Sequence, residues 1–440
     1  MTERFLNPVN KETLRLAVPS ILANITVPLV GIVDLAIAGH IGDASVIGGI
    51  VIGTALFDLL YWNMGFLRTG TGGMTAQAFG RRDWKAATGI FSQGMATAIA
   101  VSVIMLAIQW GFAEIMLRFF NCSPEVDRIA RSYFFIRIWA VPATLALFVF
   151  KGWFIGMQNT LFPMIVDIWV NVVNMGASWL LAFRTPAGLD GIAIGTVTAQ
   201  WTGLILAASL MYFRYHRTLV STSILHSMKW KYFKLFFGVN INLFVRSLLM
   251  LVVYEGFTYF AARFGDTQLA VSEIMMKVLL LYSYFLDGFA YAGEALTGRA
   301  IGEKNPKMLR SIVFWNFFWC FVISIISTAL YALFPDRIVG VMTNDAAVLD
   351  ACKPYFFWML LMPVVSCIAF TWDGIFIGAT ATKQLRGSVG GAALLFVAFC
   401  LLFRSQCGPQ VIYIAYFLHL LYRSAYMAIV WPKVRRSSIP

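Results

Sequence analysis

From residue 13 to residue 431 the chain is a succession of apolar stretches, roughly 18 to 31 residues long, separated by short polar or basic breaks. A run of about 20 apolar residues matches the hydrocarbon core of a bilayer when coiled as an α-helix, and a soluble domain has no use for one repeated along its whole length. Spans are expected at 13–39, 46–76, 87–111, 128–151, 160–183, 189–213, 235–262, 268–297, 309–333, 348–376, 387–404 and 410–431. Only 12% of the 440 residues are charged and 60% are hydrophobic, against about 25% charge in soluble domains. The expected fold class is therefore an all-α polytopic membrane protein with twelve transmembrane helices. The first twelve residues are polar, the first apolar run is too long for a signal-peptide core, and no small-residue cleavage site follows it. No processing is expected.

Lys and Arg concentrate in cytoplasmic loops, so their positions set the orientation. If the N-terminus is inside, the inside set is Arg4, Lys11, Arg15, Arg81, Arg82, Lys85, Arg214, Arg217, Lys229, Lys231, Lys234, Arg299, Lys304, Lys307, Arg310, Lys383, Arg386, Lys433, Arg435 and Arg436. The outside set is much smaller: Arg118, Arg128, Arg131, Arg184, Arg263, Arg337, Lys353 and Arg404. Both termini are expected in the cytoplasm, in a bacterial cytoplasmic membrane. The net charge of +13 then reflects loops facing anionic lipid headgroups, and nothing in it calls for nucleic acid.

Several kinds of chemistry find no support. The cysteines Cys122, Cys320, Cys352, Cys367, Cys400 and Cys407 include no C-x-x-C pair, and His40, His216, His226 and His419 show no metal-ligand spacing. No metal and no cofactor are expected. Cys122 and Cys352 fall on the outer side and a disulfide between them is conceivable, with free thiols the plainer expectation. No Gly-Lys dipeptide occurs, which excludes a Walker A loop and hence nucleotide binding of that kind. No catalytic Ser/His/Asp constellation or sizeable extramembrane domain suggests an enzyme or a receptor, and a monomer is expected.

The chain repeats itself. "GFLRTGTGGMTAQAFG" (65–80) and "GFAYAGEALTGRAIG" (288–302) share a Gly-Phe start, a Gly five residues on and then Thr-x-x-Ala-x-Gly, with one residue slipped between them. "YFF" recurs at 133–135 and 355–357, and "GWFIG" (152–156) answers "GIFIG" (374–378), all at an offset of 222. "IGD" (41–43) and "FGD" (264–266) lie 223 apart. Two six-helix halves in the same order fit a parallel repeat about an axis along the membrane normal. The expected organisation is an N-lobe at 1–213, a cytoplasmic linker at 214–234 and a C-lobe at 235–440.

These paired glycine-rich stretches, together with "VDLAIAGHIGD", "VRSLLM" and "DGIFIGATAT", resemble the multidrug and toxic compound extrusion (MATE) transporters, in particular their DinF branch. The resemblance covers nearly the whole chain. It implies a V-shaped two-lobe exporter that couples entry of H⁺ or Na⁺ to expulsion of amphipathic, often cationic, small molecules. A flippase for lipid-linked saccharides in the same superfamily is the alternative. That activity would call for a strongly basic cavity, whereas acidic residues outnumber basic ones within the spans.

Intramembrane ionisable residues pair with one another or line aqueous cavities. Here the acids are Asp34, Asp58, Asp167, Glu255, Glu273, Asp287, Glu294 and Asp373, and the bases noted at membrane depth are Arg68, Arg137, Lys151, Arg246 and Lys277. Asp34 stands apart, because no Lys or Arg lies within two turns of it on its own helix and that helix carries Pro19 and Pro28. A carboxylate in a partly dry site can take up and release a proton as water reaches it. On span 5, Asp167, Asn171, Asn174 and Ser178 are spaced 4, 3 and 4 apart and share one stripe, which must face protein or water. The resemblance implies a cation site from Asp34, Asn174, a carboxylate at 178 and Thr196. The chain has Ser178 there, and losing that acid disfavours Na⁺, since hard cations want charged oxygen ligands. Protons are the expected coupling ion.

In the C-lobe, Asp373 occupies the position that Lys151 holds in the N-lobe. The opposite charges either give the lobes a polar direction for a cationic substrate or are each neutralised locally. Asp287 and Glu294 lie seven apart on one face of span 8, with Arg68 and Arg246 as candidate partners.

Overall fold

The structure, a computed structural model, describes residues 7–41, 44–120, 122–219, 230–343 and 345–439. Arg4, residues 42–43 of the "IGD" echo, and the stretch of the expected linker that includes His226 and Lys229 lie outside the described residues.

All regular structure among the described residues is helical. In chain order the helices are α1 (Pro8–Ile41), α2 (Ala44–Trp62), α3 (Phe66–Gly80), α4 (Trp84–Phe120), α5 (Pro124–Arg137), α6 (Val141–Gly156), α7 (Leu161–Arg184) and α8 (Asp190–Leu219). The second series is α9 (Trp230–Ala262), α10 (Asp266–Gly302), α11 (Pro306–Leu333), α12 (Pro335–Gly340), α13 (Ala346–Cys352), α14 (Phe356–Gly378), α15 (Thr382–Cys407) and α16 (Gln410–Ser438). Single 3₁₀ turns at Asn63–Gly65, Ile138–Ala140 and Lys353–Tyr355 join α2 to α3, α5 to α6 and α13 to α14. Eleven helical stretches among the described residues are long and apolar enough to cross a membrane by length and composition. The helix over the twelfth expected span, α16, is 29 residues long, but His419, Arg423 and its basic end lower its apolarity. The all-α polytopic class follows.

The helix starts are written in local chemistry. Ser123 accepts a hydrogen bond from the Val126 amide ahead of Pro124, and Asn305 accepts from Met308 ahead of Pro306. In both, a polar cap satisfies an orphan amide while proline occupies a position whose amide needs no partner.

The described residues cluster into two compact units, Leu22–Asn240, and Met1–Ile21 with Ile241–Pro440. Each takes in the start of a long helix, α9 or α1, whose remainder belongs to the other. The first unit is centred on Trp153, Phe154, Phe150, Val166, Val170, Ala199 and Met211, with a second apolar cluster around Ile37, Ile50, Tyr133 and Ile192. In the other unit the start of α1 is tied down by Glu12 with Arg299 and by Asn10, which accepts from Trp319.

The internal repeat holds atom by atom. A Cβ on Gly152 would sit 2.2 Å from the Arg68 carbonyl oxygen, and one on Gly374 would sit 2.3 Å from that of Ala290; both partners are also 222 apart. Gly156 is pressed on Gly72 and Thr75 in the same way that Gly378 is pressed on Glu294 and Thr297. Arg82 and Lys304, and likewise Gln158 and Thr380, are pairs at this offset, and all four have left-handed backbone at φ 52–62°. Asp83 and Asn305 then cap the next helix through the amides of Ala86 and Met308. Small residues at these positions let helix backbones touch, as membrane packing requires where lipid supplies no hydrophobic drive.

These contacts generate a paired prediction. Gly152→Leu and Gly374→Leu place carbon against rigid backbone and should each destabilise by at least the 1–3 kcal/mol typical of overpacking. Gly176, which has nothing within 4 Å of a Cβ, should accept Ala with a gain of about 0.5–1 kcal/mol. Thermal unfolding in detergent checks both; equal midpoints for all three variants would contradict the packing.

Candidate functional site

The polar stripe of α7 faces α1 and α8. Asn171 Nδ2 donates to Thr26 Oγ1 at 2.6 Å, fixing the stripe to α1. One helical position on, Asn174 Nδ2 donates to Thr196 Oγ1 at 2.9 Å, and Thr196 passes its own proton to the Ile192 carbonyl at 3.2 Å. Ser178 Oγ lies 3.3 Å from the same carbonyl oxygen. Gly195 permits this geometry, since a Cβ there would be 2.5 Å from Ser178 Oγ. The two helices are in backbone contact at the site.

Asp34 on α1 comes to the same place. The Ser178 hydroxyl and the Arg137 guanidinium are the groups that bear on its carboxyl electrostatically. Its Oδ1 is covered and has no hydrogen-bond partner, and the Oδ1 of Asn174 is in the same condition. The Ser178 hydroxyl proton goes to the Ile192 carbonyl. Asp34 thus stands beside the hydrogen-bonded set Asn174, Ser178 and Thr196 as a carboxyl with one oxygen unpartnered.

Asp167 belongs to the stripe by spacing but not to this cluster. Lys151 forms a direct ion pair with it, because α6 passes the base of the stripe there. Its partner is Lys151 on α6, which sets it apart from the cluster of Asn174, Ser178 and Thr196.

The other unit treats its charges differently. Asp373 on α14 accepts from Arg246 Nη2 at 2.5 Å and from Arg423 Nη2 at 2.8 and 2.7 Å. The Arg423 side chain is 0% exposed and that of Asp373 10%. Breaking such a buried pair typically costs about 3–5 kcal/mol, so Asp373 is bound into the lobe's interior. Arg246 therefore serves Asp373, where spacing had also offered it to Asp287 or Glu294. Glu294 is buried beneath the Gly378 contact and Asp287 is half-buried on α10, in range of Tyr254. Arg68 is half-buried on α3, where its carbonyl backs Gly152.

Two residues escaped the sequence reading. Arg423 falls neither in the loops nor among the bases noted in the spans; its signal is His419 four residues earlier, which puts two basic side chains on one face of an apolar helix. Arg137 was noted as a base, but nothing in its spacing links it to Asp34, which is on another helix. At the 222 offset, Asp34, Asn174 and Ser178 become Gly256, Phe396 and Cys400, and a Cβ on Gly256 would be 3.0 Å from the Phe396 ring. The polar cluster has an apolar contact as its counterpart. All six cysteines are free thiols, with Cys352 buried and Cys122 half-buried. Among the described residues no group of His, Cys, Asp or Glu is placed to hold a metal.

With this geometry in place, comparison with known proteins is informative. The chain is similar to the DNA damage-inducible protein F of Escherichia coli (strain K12), 29% identical over 427 residues that cover 97% of this chain and 93% of that one. It is also similar to a probable multidrug resistance protein NorM of Xanthomonas axonopodis pv. citri (strain 306), 24% identical over 339 residues, 76% of this chain and 73% of the relative. Its fold matches the crystal structure of the Vibrio cholerae MATE transporter VcmN in the bent form, with a TM-score of 0.86 at 14% identity, covering 100% of this chain and 99% of that one. The profile of the MatE family matches residues 19–180 and 243–402, one stretch in each half of the repeat. The chain belongs to the MatE family, as a multi-pass membrane transporter.

Proposed function

We propose that this chain is a proton-coupled secondary exporter of amphipathic, often cationic, small molecules, with Asp34 as the coupling carboxylate. It works in a bacterial cytoplasmic membrane with both termini inside. The observation that carries the reading is the contrast among its intramembrane acids. Asp167 and Asp373 are held in direct ion pairs. Asp34 makes none among the described residues, keeps Oδ1 unpartnered, and lies beside the neutral Ser178, Asn174 and Thr196 with the Arg137 charge also acting on it. Such a carboxyl can change protonation state without breaking a salt bridge.

The donor set supports H⁺ over Na⁺. A sodium ion would be surrounded by one carboxylate, an amide oxygen and two hydroxyls, with Ser178 in the place of a second acid. That is a poor shell for a hard cation, while one proton on Asp34 needs no shell. One elementary charge crossing about 150 mV supplies about 3.4 kcal/mol, enough for roughly a 300-fold substrate gradient. The family membership and the relative named for multidrug resistance support small organic compounds as cargo.

Two outcomes are expected. Asp34→Asn fixes the site in a neutral state, so the variant should insert and fold like the wild type yet lose active efflux of a cationic dye from cells or proteoliposomes. Dye export at the wild-type rate would refute the coupling role. Efflux by the wild type should continue in Na⁺-free buffer and collapse when a protonophore is added. If transport instead stops on Na⁺ removal with the proton gradient intact, sodium is the coupling ion.

A further inference from the structure

In the unit that takes in Ile241–Pro440, two helices stop beside each other at one end. α9 ends at Ala262 and leaves through Arg263, Phe264 and Gly265, the glycine at φ 100°; α15 ends at Cys407, with Gly408 at φ 55°. Between these endings lies a partly open pocket of about 430 Å³, lined by Phe260, Arg263, Phe264, Arg404 and Ser405. That size falls within the roughly 300–1,000 Å³ of small-ligand sites. Phe260 is buried with its ring 6.4 Å from that of Phe396, so α15 backs the apolar wall. Arg263 is steadied by Tyr259: Nη2 donates to the hydroxyl at 2.5 Å, and the guanidinium carbon lies 5.0 Å from the ring centre. These contacts fix the side chain and leave its charge in place.

No acid lines the pocket, and the ion pairs among the described residues include neither Arg263 nor Arg404. Both residues are exposed. They belong to the side of the membrane where Lys and Arg are scarce by loop position, so the positive-inside bias does not account for two of them meeting here. The other half of the repeat fills the corresponding ground with apolar side chains. Ile41 answers Phe264 in the "IGD"/"FGD" echo and Ala182 answers Arg404 at the 222 offset; Ala182 is 7% exposed in the apolar cluster on which Ile41 packs.

The guanidinium fork matches phosphate oxygens in pairs, and the end of a membrane-spanning helix is where lipid headgroups lie. We propose that this pocket holds one anionic phospholipid of the phosphatidylglycerol type, its phosphate between Arg263 and Arg404 and its glycerol and upper acyl chains against Phe260 and Phe264. A zwitterionic headgroup would bring a cation of its own towards two arginines. A free phosphate would leave the aromatic wall unused. The bound lipid ties the α9–α10 turn to the α15–α16 turn.

Native mass spectrometry of the full-length protein in detergent, titrated with phosphatidylglycerol, tests the assignment. The double variant Arg263→Gln with Arg404→Gln should bind this lipid about tenfold more weakly than the wild type, through loss of charge-assisted hydrogen bonds. Arg337→Gln, which removes an exposed arginine beside Phe334 on the same side, should bind as the wild type does. Ser405→Trp fills the pocket with both charges kept and should show the same loss as the double variant; it carries the test if that variant fails to fold. Inorganic phosphate should not displace the lipid, and diacylglycerol and phosphatidylcholine should bind more weakly. Unchanged binding in the double variant or in Ser405→Trp overturns the proposal. An equal loss in Arg337→Gln shows diffuse attraction to a basic surface and overturns it too. Displacement by inorganic phosphate makes a free anion the occupant, and equal binding of diacylglycerol or phosphatidylcholine removes the role of the two arginines; either result overturns the lipid assignment.

Discussion

A charged or polar group in hydrocarbon must find a partner inside the protein, and the arrangement of this chain follows from how each such group does so. Asp373 solves the problem with two guanidinium groups and Asp167 with one ammonium. Both acids are held in direct ion pairs. Asp34 makes no ion pair among the described residues and keeps one carboxyl oxygen unpartnered, and an incompletely satisfied carboxyl is one that can change state. The same constraint explains the glycines, which bring backbones close where lipid offers no hydrophobic reason for helices to associate.

The two units share a frame and differ in what they do with it. Left-handed turns at 82 and 304, and at 158 and 380, together with glycine contacts at 152 and 374, reproduce one packing twice. These positions are governed by backbone geometry, so a duplicated chain keeps them. Side chains that carry charge have diverged. Lys151 and Asp373 hold equivalent positions with opposite sign, and each is neutralised within its own unit. The polar cluster of Asp34, Asn174, Ser178 and Thr196 has Gly256 against Phe396 as its counterpart.

Much of this was legible in the order of residues. Apolar run length identified the helices, since 20 residues at 1.5 Å each span a bilayer whatever the neighbours do. The spacing of Asn171, Asn174 and Ser178 named the stripe, because helical periodicity alone puts them on one face. The 222-residue offset named the repeat and even the glycines that matter. Misjudgments gather where a partner comes from another helix. Asp167 looked like part of the site until Lys151 met it, and Arg423 went unnoticed until it reached Asp373.

The sequence by itself determined the solvent, the order of the helices, the duplication and an acid, Asp34, with no Lys or Arg within two turns of it on its own helix. These depend on properties local to a segment: its length, its period and its neighbours along the chain. Which charges are cancelled and which stay available was decided only by tertiary structure. Arg137 lies more than a hundred residues from Asp34, and Arg423 lies 50 from Asp373. The pairing of ionisable groups depends on distances across helix interfaces, and no spacing along a single helix encodes them.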